Sequence, residues 1–429
     1  MNLREKSICI VENGHHVFFS EEMVASYGKV FLYLMQEDSY LKPDKDTIGS
    51  GIPGVNLLEY DEDFWKLVDF DTQNDCVFFF PDVGQGALQR HLQRLGKRVC
   101  GSLASEKVEM DRWYLNECLK QVGLPVVPMR KIIGTTALKA FLKKNPNQVV
   151  KISYYRGVVE TFLADDPWEM ELQIIELDHL LGMNKDSLEF VCQDIIESAL
   201  EIGYDGFNVN GLHPQYSMRG PEIKDKGYIG IITKETPPLL KYVNEKMAPI
   251  FAKHKYQGFY SNELRLVDKP WKGFPCTPVY TDATCRTPSP PAEAFLKAYE
   301  PHCVARAIWD CSEGRLPLLK PITKWVAEVV LMSPKADHAW LHVTVPDSLR
   351  KWVLLKDHCH RKEGGIFIIP NSTGGYFGNV VALSDNPQDA INLVLKRAKE
   401  IKACELEVRT DIFDGVPKQL KLMQKYELL

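Results

Sequence analysis

Over the first hundred residues, short apolar runs alternate with amphipathic stretches. SICIV (7–11), KVFLYL (29–34), VNLLEY (55–60) and DCVFFFP (75–81) are continuous enough in Val, Ile, Leu and Phe to read as strands buried on both faces. GALQRHLQRLG (86–96) spaces its apolar residues as a helix does, and RVCG (98–101) makes one more short strand. Strand–helix alternation of this kind predicts a parallel sheet with helices on its faces. The turn after the first strand, VENGHH, has one glycine and no GxGxxG, so no dinucleotide site is predicted. Asp82-Val83-Gly84-Gln85-Gly86, at the end of VFFFP, either lines a ligand crevice or is simply a glycine-rich strand–helix connection.

The pattern then becomes mixed. MDRWYLNECLKQVGLPVVP (110–128) reads as a helix stopped by Gly123, with Pro125 just beyond, and TTALKAFLKKNP (135–146) as a second helix. The strand QVVKIS (148–153) carries Lys151 among apolar neighbours, a costly place for an ammonium unless it meets an anion. LEFVCQDIIESALEIGYDGFNVNG (188–211) reads as strand, linker, strand, and MRGPEIKDKGYIGII (218–232) brings Lys224 just ahead of another strand. A helix (237–256) leads into a hairpin over residues 256–291. Its first strand sets Glu263 and Arg265 on one face with Leu264 and Leu266 on the other; its second sets Asp282, Thr284 and Arg286 opposite Ala283 and Cys285, after the reversal KPWKGFP. Two carboxylates on neighbouring strands followed by an arginine suit a hard divalent cation that holds polyphosphate beside an anion-binding guanidinium. An ordinary hairpin with its charged face in water has the same alternation. Beyond residue 300, AIWDCSEGRLP reads as helical. Strands are expected near 325–333, 340–345 and 364–370, then a strand and a strongly amphipathic helix within 375–401 that starts near Ser384 or Asp385.

Composition narrows the class of protein. At 429 residues, with 45% hydrophobic and 25% charged positions, the chain is an ordinary globular one of two or three domains. A formal charge of −5 gives no support for nucleic-acid binding. No apolar run approaches the roughly 20 residues that span a bilayer, and MNLREKSICIVENG turns polar too soon for a secretory signal, so neither a membrane nor a secretory role is expected. The eleven cysteines are scattered without a CxxC pair, which points to neither a zinc ribbon nor a disulfide framework and fits the cytoplasm. His358-Cys359-His360 reads as a polar loop, since neighbouring residues of an extended segment face opposite ways.

Taken together, Lys151, Glu263, Asp282 and Arg286 in this order resemble the ATP-grasp superfamily. There an acid on one strand precedes an acid-x-Asn-x-Arg segment, and the acids hold magnesium on ATP. The resemblance implies an α/β chain with the ATP-grasp fold: an N-terminal parallel-sheet pre-ATP-grasp domain (1–104), an ATP-grasp domain of two lobes (105–300, hinge near 192–201) and a smaller α+β C-terminal domain (301–429). It implies Glu263, Asp282 and Thr284 as ligands to Mg2+ (or Mn2+), with Thr284 standing where the family has Asn. It implies Lys151 and Arg286 as the catalytic cations. For ATP it implies Arg112 (where the family has Lys), Lys151, Arg156 in the flap YYRGVV with its single Gly157, Lys224, and the hinge residues Asp194, Ile195, Ile196 and Glu201, the last seven residues after Asp194 and set to hold the ribose. Arg219 is a further candidate for a substrate carboxylate or phosphate. The activity implied is ATP-dependent ligation of a small-molecule carboxylate to an amine. Within the superfamily the order of parts is most similar to the phosphoribosylamine–glycine ligases of purine synthesis. A protein that keeps the fold and binds nucleotide without ligation is the alternative. The oligomeric state stays open.

Overall fold

The computed structural model describes residues 2–35, 48–153, 161–223, 226–362, 364–371 and 374–429. Strands β1 (Ser7–Glu12), β2 (Lys29–Leu34), β3 (Val55–Leu58), β4 (Cys76–Phe79) and β5 (Arg98–Cys100) form a parallel sheet in the order β3-β2-β1-β4-β5, with α1 (Val17–Met23), α2 (Asp61–Phe70) and α3 (Gly86–Arg94) as connections. Alternate residues go to opposite faces. Cys9, Val11, Phe78 and Val99 pack with Phe64, Val68 and Leu92 of α2 and α3. Ile8, Ile10, Val77 and Phe79 pack with Phe18 and Phe19 of α1 and with Ile308 and Trp309 from far along the chain. The apolar runs of the sequence are continuous because both faces are covered. The strand order reverses between β1 and β4, so the crevice of this sheet lies at the carboxyl ends of those two strands.

The next part is built around two antiparallel sheets. After α4 (Glu106–Met110) and α5 (Arg112–Gln121) come β6 (Met129–Ile133), α6 (Thr135–Leu142), β7 (Gln148–Ile152), β8 (Thr161–Ala164), α7 (Pro167–Leu181) and β9 (Glu189–Asp194). Helix α5 starts where the Asp111 carboxylate accepts the Tyr114 N–H and ends just before Gly123, whose φ of +72° suits glycine. Among the described residues β6-β9-β7-β8 make a four-stranded sheet, with α6 and α7 packed on it through Leu138, Leu142, Met170 and Ile174.

The second sheet runs through the rest of the chain. Its strands are β10 (Leu200–Ile202), β11 (Asp205–Val209), β12 (Ser217–Arg219), β13 (Glu222–Ile223), β14 (Gly227–Thr233), then, after α8 (Pro238–His254), β15 (Gln257–Val267) and β16 (Thr277–Thr284). Helices α9 (Ala292–Ala298) and α10 (Cys303–Ser312) precede β17 (Trp325–Met332). There follow β18 (Leu341–Thr344), β19 (Val353–Leu355), β20 (His358–His360), β21 (Ile366–Ile368), β22 (Tyr376–Ser384), α11 (Pro387–Ala398), β23 (Lys402–Ala403) and α12 (Val416–Lys425). Among the described residues ten strands join in one sheet, β10-β15-β11-β12-β14-β17-β22-β19, with β16 on β15 and β13 on β14; β20-β21-β18-β23 form a small separate sheet. The β14–β17 pairing carries hydrogen bonds across the expected division at residue 300.

Two local expectations change. Helix α11 is capped by Asn386, whose side chain accepts the N–H groups of Gln388 and Asp389, rather than by Ser384 or Asp385. Ser384 ends β22, so its backbone is already committed to the sheet. His358-Cys359-His360 is a strand, β20, paired with β21, instead of a loop. Three residues are too short a run for periodicity to separate the two conformations.

Candidate functional site

The linker between β9 and β10 joins the four-stranded sheet to the ten-stranded one, as the strand–linker–strand pattern implied. On it Ile195 is exposed and Ile196 half-buried, while Asp194 at the end of β9 accepts a hydrogen bond from Gln148 Nε2 at 2.7 Å. Across from the linker, Lys151 leaves β7 and crosses to the other sheet, where its ammonium donates to the Thr281 carbonyl at 3.2 Å. The side chain is 7% exposed. Burial pushes its pKa down, opposed first by the charge of Asp282.

The hairpin β15–β16 supplies the acids. Glu263 and Asp282 are direct cross-strand partners, so two carboxylates face each other on one side of the ladder. Like charges so placed repel unless cations lie between or around them. Here Arg112, almost fully buried at the start of α5, pairs with Asp282, and Arg265 pairs with Glu263 at 3.5 Å and with Glu201 at 3.0 Å. Next along β16 the register slips. Glu263 faces Asp282 while Leu264 faces Tyr280, which leaves Thr281 as an extra residue in a bulge. The bulge turns the Thr281 hydroxyl onto Glu263 Oε1 at 2.6 Å and exposes its carbonyl to Lys151.

Arg286 lies just past β16. Its Nε donates to Glu109 Oε1 at 2.9 Å and lies 3.5 Å from Asp82 Oδ1, while the other Glu109 oxygen accepts the Cys285 N–H at 2.6 Å. Asp82 belongs to the turn after β4, so Arg286 stands at the crevice of the parallel sheet. That crevice is rich in buried charge. Glu12, at the end of β1, accepts the N–H groups of Gly14 and His16, both at 2.8 Å, and burial pushes its pKa up to about 7. His16 is 3% exposed, and neither ring nitrogen has a hydrogen-bond partner among the described residues. Burial holds it neutral, its pKa well below the usual imidazole range, and the charges that act on it are those of Asp82, Lys356, His15 and Arg286. Lys356 enters from beyond β19, buried over the Tyr376 ring at 3.7 Å; burial lowers its pKa and Glu293 opposes this. The carboxyls of Glu293 and Glu328, both fully buried, are raised by burial.

No family model and no curated relative matches this chain. Solved structures do. The phosphoribosylamine–glycine ligase of Thermotoga maritima superposes with a TM-score of 0.66 at 15% identity, over 94% of this chain and 99% of that one. The biotin carboxylase domain of Hydrogenobacter thermophilus 2-oxoglutarate carboxylase, solved with MgADP and bicarbonate, gives 0.65 at 11% identity over 96% and 98%. The L-amino acid ligase of Bacillus licheniformis gives 0.57 at 14% identity over 94% and 99%. The chain has the ATP-grasp fold. At these identities the likeness is one of architecture, and what the site does rests on this chain's own residues.

In this chain, four of the sequence-expected side chains (Lys151, Arg112, Glu263 and Asp282) meet between the two sheets, and Glu201 joins them through Arg265. Arg286 stands at the far end of the same hairpin, toward the parallel sheet. Thr284 is opposite Ser261 on the ladder; the hydroxyl on Glu263 is that of Thr281, one residue before Asp282. Arg156 with Gly157, and Lys224, lie outside the described residues. Arg219 is 1% exposed and is spent on the fold: its guanidinium donates to the Leu428 carbonyl and to the Thr233 hydroxyl, so it holds the C-terminus instead of facing a substrate.

The donor set fits a magnesium or manganese nucleotide. Glu263, Asp282 and a threonine hydroxyl offer oxygen alone, the choice of a hard cation. Lys151 and Arg112, buried beside them, offer the positive charge that phosphates need. Sequence reasoning missed Glu109, Thr281, His16, Lys356, Glu293 and Glu328. For two of these the cue existed. VLLK puts Lys356 at the end of an apolar run, as QVVK does Lys151, and WVAEVVLM buries Glu328 inside a strand. The bulge that selects Thr281 has no signature in sequence.

Proposed function

We propose that the chain is an ATP-dependent carboxylate–amine ligase. The observation that carries this reading is the arrangement along one hairpin: Glu263 and Asp282 facing each other near the buried Lys151, with Arg286 at the other end beside a crevice of buried charge. ATP with Mg2+ or Mn2+ would lie between the two sheets, its metal on Glu263 and Asp282 with a hydroxyl from Thr284 or Thr281. Its phosphates would meet Lys151, Arg112, and the Arg156 and Lys224 of the sequence reading, and its adenosine the linker from Asp194 through Ile195 and Ile196 to Glu201. The metal, when bound, neutralises phosphate charge. The carboxylate substrate would enter from the crevice, its negative charge set against Arg286 and Lys356. Its oxygen attacks the γ-phosphorus, the bond to the β-phosphate oxygen breaks, and acylphosphate and ADP form. The amine then attacks the acyl carbon, phosphate leaves, and an amide remains after loss of a proton. The first step needs no general base, since the acid is already ionised at neutral pH. Lys151 and Arg286 stabilise charge as it moves, and the remainder of the acceleration is positioning.

Phosphoribosylamine with glycine is the substrate pair favoured by the order of the parts, which would place the chain in purine synthesis. The site is taken to be cytoplasmic; among the described residues no helix is long and apolar enough to cross a membrane. One observation favours a second reading, a nucleotide-binding regulator without turnover: both metal-site acids are paired with guanidinium groups, Asp282 with Arg112 and Glu263 with Arg265. Phosphate release from magnesium ATP, screened against amino acids with and without phosphoribosylamine and other amines, separates the two. A ligase is expected to release phosphate only with its acid present, and Glu263→Gln to abolish that release. ATP binding with no release under any pair would leave the regulator.

A further inference from the structure

Far along the chain from the hairpin acids, α1 meets the small sheet at β20. Residues two apart on a strand share a face, so His358 and His360 both turn toward Glu21 of α1, while Cys359 points the other way. One ligating atom from each of Glu21, His358 and His360 lies within 4.8 Å of the others. His358 is fully buried. Its Nδ1 is 3.1 Å from the Leu355 carbonyl, which can only accept, so the proton of the neutral ring sits on Nδ1 and Nε2 presents a lone pair. That Nε2 has no hydrogen-bond partner among the described residues and is aimed at Glu21 Oε2, 3.6 Å away. A buried ring nitrogen that faces a carboxylate at ion-pair distance, too far for a hydrogen bond, with a second imidazole beside it, leaves a place for an ion between them.

We propose that Glu21, His358 and His360 form a binding site for a divalent first-row ion of the zinc class, which clamps α1 to β20. Two imidazoles and one carboxylate are a nitrogen-rich set that selects zinc-like ions over magnesium, so the site differs in chemistry from the oxygen-only set on the hairpin. Zinc bonds of about 2.0–2.1 Å place tetrahedral donors about 3.3 Å apart, so small side-chain rotations close the triad. Arg350 belongs to the outer layer. It donates to Glu21 Oε1 at 2.6 Å, which orients Oε2 to the centre. Its contact with His360 Nε2, at 3.2 Å, is the one that gives way if that nitrogen coordinates. Three protein ligands leave a position for water. The ion would tie together residues more than 300 positions apart in sequence, a constraint that stabilises the folded chain by mass action.

The test uses the full-length protein stripped with chelator, in excess Mg2+ so that oxygen-only sites are filled, and titrated with Co2+ and with Zn2+. The expected result is one Co2+ per chain with visible ligand-field bands, displacement by Zn2+, and a Tm that rises with Zn2+. Glu21→Gln and His360→Gln, both at partly exposed positions, are expected to weaken binding at least about tenfold and to lose the Zn2+-dependent rise in Tm. Cys404→Ser, which removes an exposed thiol, is expected to change neither. Absence of stoichiometric binding in the wild type would overturn the site, and so would binding of undiminished strength in Glu21→Gln and His360→Gln. In either case the cluster is a plain His–Glu–Arg hydrogen-bond group.

Discussion

Lys151 is a residue whose role and cost can be measured separately. Its ammonium is buried, and its pKa is lowered by that burial. Between the lowered folded pKa and the unfolded value near 10.4 the unfolded chain binds more protons, so this group makes stability rise with pH across that window. Lys151→Met keeps the stem and removes the charge. It is expected to weaken ATP binding while Tm at neutral pH stays equal or rises, with the gain over wild type shrinking as pH approaches 10. Normal ATP titration with a fallen Tm would make the lysine structural. Glu201 makes a narrower test. A carboxylate that accepts from ribose hydroxyls contributes about 1.5–3 kcal/mol as a charged hydrogen-bond acceptor. Glu201→Ala should then raise the ATP Kd roughly 10- to 100-fold. Because Glu201 also holds Arg265, at 3.0 Å, the comparison that isolates the ribose is 2′-deoxy-ATP by calorimetry. Equal binding of ATP and the deoxy analogue to wild type would remove Glu201 from the ribose.

At the scale of elements, most strands and helices that sequence period could resolve stand where expected, but the helix read in AIWDCSEGRLP is α10, which starts earlier and stops at Ser312, and α7 had no expectation. The runs at 29–34, 148–153 and 325–333 became β2, β7 and β17 with ends within one residue. What failed was local competition at boundaries. Three polar residues in a row, Ser384, Asp385 and Asn386, could each cap α11, and the choice fell to Asn386 because the strand before it consumes Ser384. Asn386→Ala should cost about 1 kcal/mol in denaturant unfolding with no change in nucleotide binding, as loss of a side-chain cap does. Asp385→Ala, by contrast, removes only an acceptor for the Lys324 N–H at 3.2 Å. A larger loss for Asp385→Ala than for Asn386→Ala would show the cap to be misplaced. The hairpin teaches a related point. Alternation put Glu263 and Asp282 on one face correctly, but a single extra residue in the ladder made Thr281 the hydroxyl on Glu263.

For the whole molecule, the continuity of the large sheet matters most. Strand β14 is bonded on one side to β12 and on the other to β17, so a chain ending at residue 300 would leave β14 as an open apolar edge. It would also lose α10, whose Ile308 and Trp309 cover one face of the parallel sheet. Residues 1–300 expressed alone are therefore expected to aggregate or to lack a cooperative unfolding transition, whereas the full chain unfolds cooperatively. A soluble 1–300 fragment with a sharp transition would establish residues 301–429 as an independent domain. The same interlocking builds the crevice. Glu12 ends β1 and His16 comes soon after it, Asp82 follows β4, Arg286 follows β16 and Lys356 follows β19, so four stretches of chain bring charge to one place.

Amino-acid sequence by itself determined the kinds of elements, their order, the acid-bearing face of the hairpin and the anomalous lysine of β7. These are local properties, set by side-chain period and by the cost of placing charge among apolar neighbours. Tertiary structure alone decided which charges meet. It gave Asp282 to Arg112, 170 residues away, and spent Arg219, a candidate by sequence, on the carbonyl of Leu428. It also turned His358 and His360, which neighbour-to-neighbour alternation had separated from Cys359 and dismissed, toward one carboxylate on α1. The physical reason is range. A strand's period acts over two residues and a helix's over four, whereas a buried ion pair or a metal triad depends on chain packing, and nothing in the spacing of residues along the sequence carries that distance.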